Sequence, residues 1–167
     1  MTAAHDARPG AGRFLLLALL SIAPVAAASV LGQIATAPAI PTWYAGLAKP
    51  SFNPPNWLFA PVWTTLYVLM AYAFFRVLRT PPAPARSAAV ALFLVQIALN
   101  AAWSWAFFGF RSPASGLVVI AALWVAIAAT LVAFWRLDRL SGALLAPYLA
   151  WVTFAAALNV AIWHLNG

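Results

Sequence analysis

The sequence predicts an all-α integral membrane protein: a bundle of five transmembrane helices with a lid loop rich in proline and aromatic residues between the first two. Three observations predict it. Of 167 residues, 66% are hydrophobic and 7% charged, with a mean hydropathy of +0.94. Soluble domains carry about 25% charged residues, and a chain so poor in them cannot cover a folded core with wettable surface. The charged residues cut the chain into uncharged runs at 14–48, 50–75, 87–110, 112–135 and 140–167. A bilayer crossing takes about 20 apolar residues. Backbone groups in lipid must be paired internally, so such runs are helices. None shows the short polar–apolar alternation of a β-barrel.

The same composition excludes a cytosolic globular enzyme, a disordered chain and a nucleic-acid module. The net charge of +7 comes from nine basic and two acidic residues scattered between apolar runs. With no cysteine, disulfides, thiolate metal sites and cysteine nucleophiles are excluded.

The elements follow in order. Residues 1–13 are an N-terminal tail. The first span is 14–31, and it has a rival reading. Arg8 and Arg13 precede the apolar run, and Val25-Ala26-Ala27-Ala28 resembles a small-residue cleavage site, so a removable signal peptide would leave four helices. The lid loop, 33–56, holds Pro38, Pro41, Pro50, Pro54 and Pro55 with Trp43, Tyr44 and Phe52. Proline forbids a long helix there and pre-sets the backbone, which predicts a folded cap. The remaining spans are 57–75, 88–108, 114–135 and 142–163, joined by short connections that predict contact between consecutive helices.

Basic residues set the topology. Five spans put Arg8, Arg13, Arg76, Arg79, Arg86, Arg136 and Arg139 on one side, and only Lys49 and Arg111 on the other. The positive-inside bias predicts a cytoplasmic N-terminus and an outer lid. It favours the bacterial inner (cell) membrane, with an outer membrane as the alternative.

Candidate binding residues lie on helical stripes. In the third span Gln96, Asn100, Trp103 and Phe107 share one face, while Ala98, Ala102 and Ala106 share another. Polar residues inside a membrane face a cavity or tie neighbouring helices. Small residues allow close backbone approach, here a packing or dimer seam. In the fifth span Pro147, Trp151, Ala155 and Asn159 share a face, with Tyr148 beside it. A large aromatic with a small residue one turn away leaves room for a flat ligand. Trp63, Tyr67, Met70 and Phe74 form an aromatic stripe in the second span. Trp57, Trp135 and Trp163 fit interfacial anchors.

Catalytic sets are scarce. Asp6 and His5 lie in the tail, Asp138 sits between Arg136 and Arg139 where it is expected to pair locally, and His164 has no ligating neighbour. No metal site is predicted, and no uncharged run supplies the ionisable residues an ion-driven transporter uses.

The stretch Trp43-Tyr44-Ala45-Gly46-Leu47-Ala48-Lys49-Pro50-Ser51-Phe52-Asn53-Pro54-Pro55-Asn56-Trp57, followed by Pro61-Val62-Trp63-Thr64-Thr65-Leu66-Tyr67, resembles the signature of the translocator-protein family, also called tryptophan-rich sensory proteins or peripheral-type benzodiazepine receptors. Gln96, Asn100, Trp103 and Phe107-Phe108-Gly109 resemble its third-span motif, and Pro147-Tyr148-Leu149-Ala150-Trp151 with Leu158-Asn159 its fifth.

The resemblance implies a retained first helix and a five-helix bundle, often a homodimer. It implies binding of porphyrins, cholesterol-like lipids and other hydrophobic small molecules beneath the first loop. It places Trp63 and Trp151 facing the ligand, with Trp43, Tyr44, Pro54, Asn100 and Trp103 in the pocket or lid. Lys49, the lid's one cation, is available to a propionate. The expected function is a receptor or sensor of tetrapyrroles, with no cofactor required. The alternatives are a light- and oxygen-dependent protoporphyrin IX-degrading enzyme working through Trp63 and Trp151, and a tetrapyrrole or lipid transporter. One departure bears on cholesterol: Leu158-Asn159-Val160-Ala161-Ile162-Trp163-His164 lacks the tyrosine and basic residue of the animal pattern.

Overall fold

A computed structural model describes residues 10–167; the predicted tail residues His5, Asp6 and Arg8 lie outside the described residues. It shows five helices long and apolar enough to cross a membrane. Helix α1 is Ala11–Thr36, α2 Phe59–Leu78, α3 Pro84–Ser104, α4 Pro113–Leu137 and α5 Arg139–Asn166.

Local chemistry explains the ends. α1 runs past residue 31 because nothing before Pro38 blocks it; Ala37 keeps helical angles, φ −57° and ψ −44°, and its N–H closes the last bond on the Gln33 carbonyl at 2.9 Å, after which Pro38 has no N–H to continue the ladder. The lid therefore starts later than the sequence predicts. α3 and α4 each begin with proline, whose missing N–H costs nothing at the first turn. The Ser112 hydroxyl caps α4 by accepting from Ser115 N–H at 3.1 Å.

The helices form a ring in the order α1, α2, α5, α4, α3. Consecutive helices α2 and α3 are not ring neighbours, contrary to what the short connection predicts. They meet across the ring, where Phe74 and Phe93 stack with centroids 4.1 Å apart. Phe134 of α4 continues the stack 5.7 Å from Phe93. All three rings are buried, and they fill one end of the bundle.

That end carries Arg13, Arg76, Arg79, Arg86, Arg136 and Arg139, at the start of α1, α3 and α5 and the end of α2 and α4. Asp138 is its one described acid. It does not pair with Arg136 or Arg139 as expected. Arg76, 62 residues away, donates to it twice, Nε at 2.7 Å and a terminal nitrogen at 3.0 Å. Asp138 also caps α5, accepting from Ser141 N–H at 3.1 Å and from the Ser141 hydroxyl. One carboxylate thus joins α2 to the α4–α5 turn. The Arg76 guanidinium, with help from Ser141, holds the Asp138 carboxyl well below the usual carboxylate range. An acid depressed in the fold contributes stability that is fully present above its unfolded value of about 4 and is lost as pH falls below it. We expect Asp138→Ala to cost about 1–2 kcal/mol, the helix cap plus a partly exposed ion pair. Melting followed by tryptophan fluorescence should show the variant's deficit shrinking below pH 4.

Candidate functional site

The ring is not filled at the other end. Between α1, α2, α3 and α5, beneath the lid, lies a cavity of about 280 Å³. Eight aromatic side chains line it. α2 supplies Phe59, Trp63 and Tyr67; α3 and its extension supply Trp103, Phe107 and Phe108; α5 supplies Trp151; the lid supplies Tyr44.

The end of α3 is built to do this. It passes into a π turn, Trp105–Gly109, where Phe110 N–H bonds the Trp105 carbonyl at 2.7 Å. The wider turn inserts an extra residue, a device common at functional sites. Phe107 and Phe108 then sit in edge contact, centroids 4.8 Å apart, beneath the lid. Trp43 and Tyr44 close on them from above at 5.5 Å and 5.6 Å. Arg111, with φ 52°, ends the turn in the left-handed region.

Two hydrogen-bonded networks fix polar side chains at the cavity. The Tyr67 hydroxyl donates to Asn100 Oδ1 at 3.1 Å, and Asn100 Nδ2 donates to the Tyr148 hydroxyl at 3.0 Å. This chain links α2, α3 and α5 across the cavity floor. Trp103 Nε1 donates to Asn159 Oδ1 at 3.2 Å, and Asn159 Nδ2 donates to the Pro113 carbonyl at 2.8 Å. Each bond contributes about 1 kcal/mol, and each locks a cavity side chain in place.

The lid is held from within and from α5. Inside it, the Tyr44 hydroxyl donates to Asn53 Oδ1 at 3.0 Å, and burial raises the Tyr44 pKa. Outside it, Ala48 N–H donates to Asn166 Oδ1 and Asn166 Nδ2 donates to the Ala48 carbonyl, both at 2.9 Å. The amide of one residue near the end of α5 therefore pairs with the lid backbone as a strand would.

Of the residues singled out in the sequence, Tyr44, Trp63, Tyr67, Asn100, Trp103, Phe107, Trp151, Ala155 and Asn159 line this one cavity. Five others do not. Trp43 backs the phenylalanines, Pro54 is buried within the lid, and Tyr148 lies fully buried below the floor with its ring 6.2 Å from Trp63. Lys49 Nζ is spent on the Leu47 and Ala45 carbonyls at 3.0 and 3.3 Å and on the Tyr44 ring at 4.8 Å. Gln96 is 1% exposed, with neither polar atom partnered among the described residues.

The small-residue stripe breaks: Ala98 and Ala102 are exposed, but Ala106 falls on the π turn and is buried. On α2, Trp63 and Tyr67 face the cavity, whereas Met70 and Phe74 belong to the core below. Trp124, inside the fourth span, is 40% exposed on the outer surface, its Nε1 donating to Thr153 Oγ1 at 2.8 Å.

Sequence reading missed the contribution of α1. Ser29, Gly32, Gln33 and Thr36 line the cavity at intervals of three and four residues, a small and polar stripe visible in the sequence. A Cβ at Gly32 would stand 3.2 Å from Ser104 Oγ, so the two helices approach closely there.

A family model described as TspO/MBR family matches residues 20–164. The chain belongs to the TspO/MBR family. The match includes every cavity residue from Ser29 to Ile162. Among relatives, the tryptophan-rich protein TspO of Chlorobaculum tepidum is 47% identical over 125 residues, 74% of this chain and 79% of that one. The tryptophan-rich protein TspO of Archaeoglobus fulgidus is 43% identical over 152 residues, 91% and 98% of the two chains. The human translocator protein is 44% identical over 126 residues, 74% and 75%. As a TspO/MBR member with five apolar helices, the protein is an integral membrane protein.

Proposed function

We propose that this TspO/MBR protein is a membrane receptor for porphyrins and related hydrophobic ligands, and that occupancy of its cavity regulates tetrapyrrole metabolism or a stress response. The observation that carries the reading is the convergence of three indoles, Trp63, Trp103 and Trp151, from three helices on one cavity. Stacked aromatic pairs contribute about 0.5–1.5 kcal/mol beyond area burial, and a porphyrin offers the largest flat aromatic face among biological lipophiles. Ligand cavities run from roughly 300 to 1,000 Å³, so the closed cavity of about 280 Å³ is tight for a tetrapyrrole. The ligand then protrudes past the exposed Ala60 and Thr64 on α2, or lifts the lid. Lys49 is not free for a propionate in this conformation, because its ammonium is already held by the Leu47 and Ala45 carbonyls. The arginine-rich end faces the cytoplasm in this reading and the lid faces outward.

The test is a titration of purified protein with protoporphyrin IX in detergent, in the dark, following tryptophan quenching and the porphyrin absorption band. Saturation near one ligand per chain supports the reading. An unsaturable curve matching empty micelles overturns it.

A lid held by Asn166 predicts a kinetic signature. Asn166→Ala removes both bonds to Ala48, and we expect porphyrin association to accelerate several-fold, with a smaller change in affinity. Stopped-flow quenching measures it.

A second reading is supported by Trp63 and Trp151 lining the same cavity: light-driven oxidation of protoporphyrin IX with O2 as the electron acceptor, beside indoles able to exchange electrons with the photoexcited ring. It requires that Trp63→Phe/Trp151→Phe bind porphyrin yet stop its photobleaching to a discrete product.

A further inference from the structure

A second concavity lies outside the ring, on the lipid-facing side of the α1–α2 seam. It is larger and more open than the cavity, about 660 Å³. Its α1 wall is a stripe of Phe14, Ala18, Ser21, Val25, Ala26 and Ser29, at helical spacing. Its α2 wall is the matching stripe of Thr64, Val68, Ala71, Tyr72 and Phe75. Small residues on α1 sink the middle, so the surface is a trough rather than the convex face of a lipid-exposed helix.

From Phe14 to Ser29 the trough runs about 22 Å at ~1.5 Å per residue. One leaflet contributes about half of a ~30 Å hydrocarbon core, so the trough holds one whole extended acyl chain. It ends where Phe14 and Phe75 meet edge to face at 5.3 Å. Arg13, exposed, is the residue before Phe14 on α1, and the Arg79 guanidinium sits over the Phe75 ring at 5.6 Å. Neither arginine makes a salt bridge among the described residues, whereas Arg76 beside them is consumed by Asp138. An apolar trough of chain length thus finishes beside Arg79 and in the turn that carries Arg13, neither in a salt bridge among the described residues, at the level where a headgroup lies.

We infer that the α1–α2 trough is a binding site for an anionic phospholipid, its acyl chain along Ala18–Ala26–Ser29 and its phosphate on Arg13 and Arg79. The occupant is a negatively charged glycerophospholipid rather than a neutral one, because nothing but charge distinguishes the two at that end. The site is independent of the ligand proposed for the cavity. It is also adjacent to it: Ser29, Thr64 and Tyr67 line both spaces, so the chain's far end rests on the cavity's own wall.

The test is native mass spectrometry of the full chain released from bilayers of equimolar phosphatidylglycerol and phosphatidylcholine. We expect phosphatidylglycerol to be retained about tenfold over phosphatidylcholine. Arg13→Gln/Arg79→Gln should bring the two lipids to parity. Ala26→Trp, at an exposed position, should fill the trough and release lipid of either headgroup without lowering the melting temperature. Equal retention of the two lipids by the unaltered chain overturns the proposal, as does unchanged phosphatidylglycerol retention in either variant.

Discussion

Replacing Trp151 with alanine should weaken porphyrin binding about thirtyfold, the equivalent of ~2 kcal/mol. The indole lines the cavity from α5, with Phe59 5.9 Å and Phe154 5.4 Å from its ring. Those neighbours fix its plane, so its face is presented rather than found on binding. Its half-buried position and lack of a hydrogen bond mean that truncation leaves no orphaned polar group. The fold should therefore survive, which tryptophan-fluorescence melting checks. Trp124→Phe is the control: this indole is on the outer surface, and its loss removes one tryptophan without touching the cavity. Equal affinities for the Trp151→Ala chain and the unaltered one, in the dark titration, would return the cavity to plain helix packing.

The largest stability loss from a single added methyl group is expected at Gly142→Ala. A Cβ there would stand 2.7 Å from Trp135 Cα, 2.7 Å from its Cβ and 2.8 Å from its N. Two of these atoms are backbone, in the last turn of α4, and cannot rotate away. Helices α4 and α5 are joined through Asp138 alone, so the turn has no slack to absorb the shift. Overpacking costs about 1–3 kcal/mol, and this site belongs at the upper end. We expect the melting temperature to fall by roughly 5–10 °C. Gly46→Ala, which meets nothing within 4 Å, should leave it unchanged.

Much of the fold was legible because lipid removes choices. Uncharged runs of helix-spanning length can only be helices there, and nine basic residues mark their ends. The indoles Trp63, Trp103 and Trp151 were legible as candidates because each lies inside a span, although Trp124 shares that placement and faces outward. The failures have two causes: contacts between distant parts of the chain, and local backbone geometry that residue types alone do not show. Asp138 has two arginines within two residues, yet the helices carry Arg76 to it from 62 residues away. Ala106 belongs to a four-residue stripe only on an unbroken α-helix, and the π turn breaks it. Lys49 was read as free because sequence shows charges but not the carbonyls that a turn aims at them. Gln96 keeps the helical spacing of Asn100, but the core closes over it before the cavity reaches that depth.

The pairing of Asn166 with Ala48 has a practical corollary for handling the protein. The lid's tether is one residue from the last position of the sequence. A purification handle fused directly after Gly167, or a truncation by two residues, would alter how the mouth of the cavity is held. Affinities measured on such material would report the fusion as much as the protein, and a handle placed before α1, at the opposite end of the bundle, would not carry that cost.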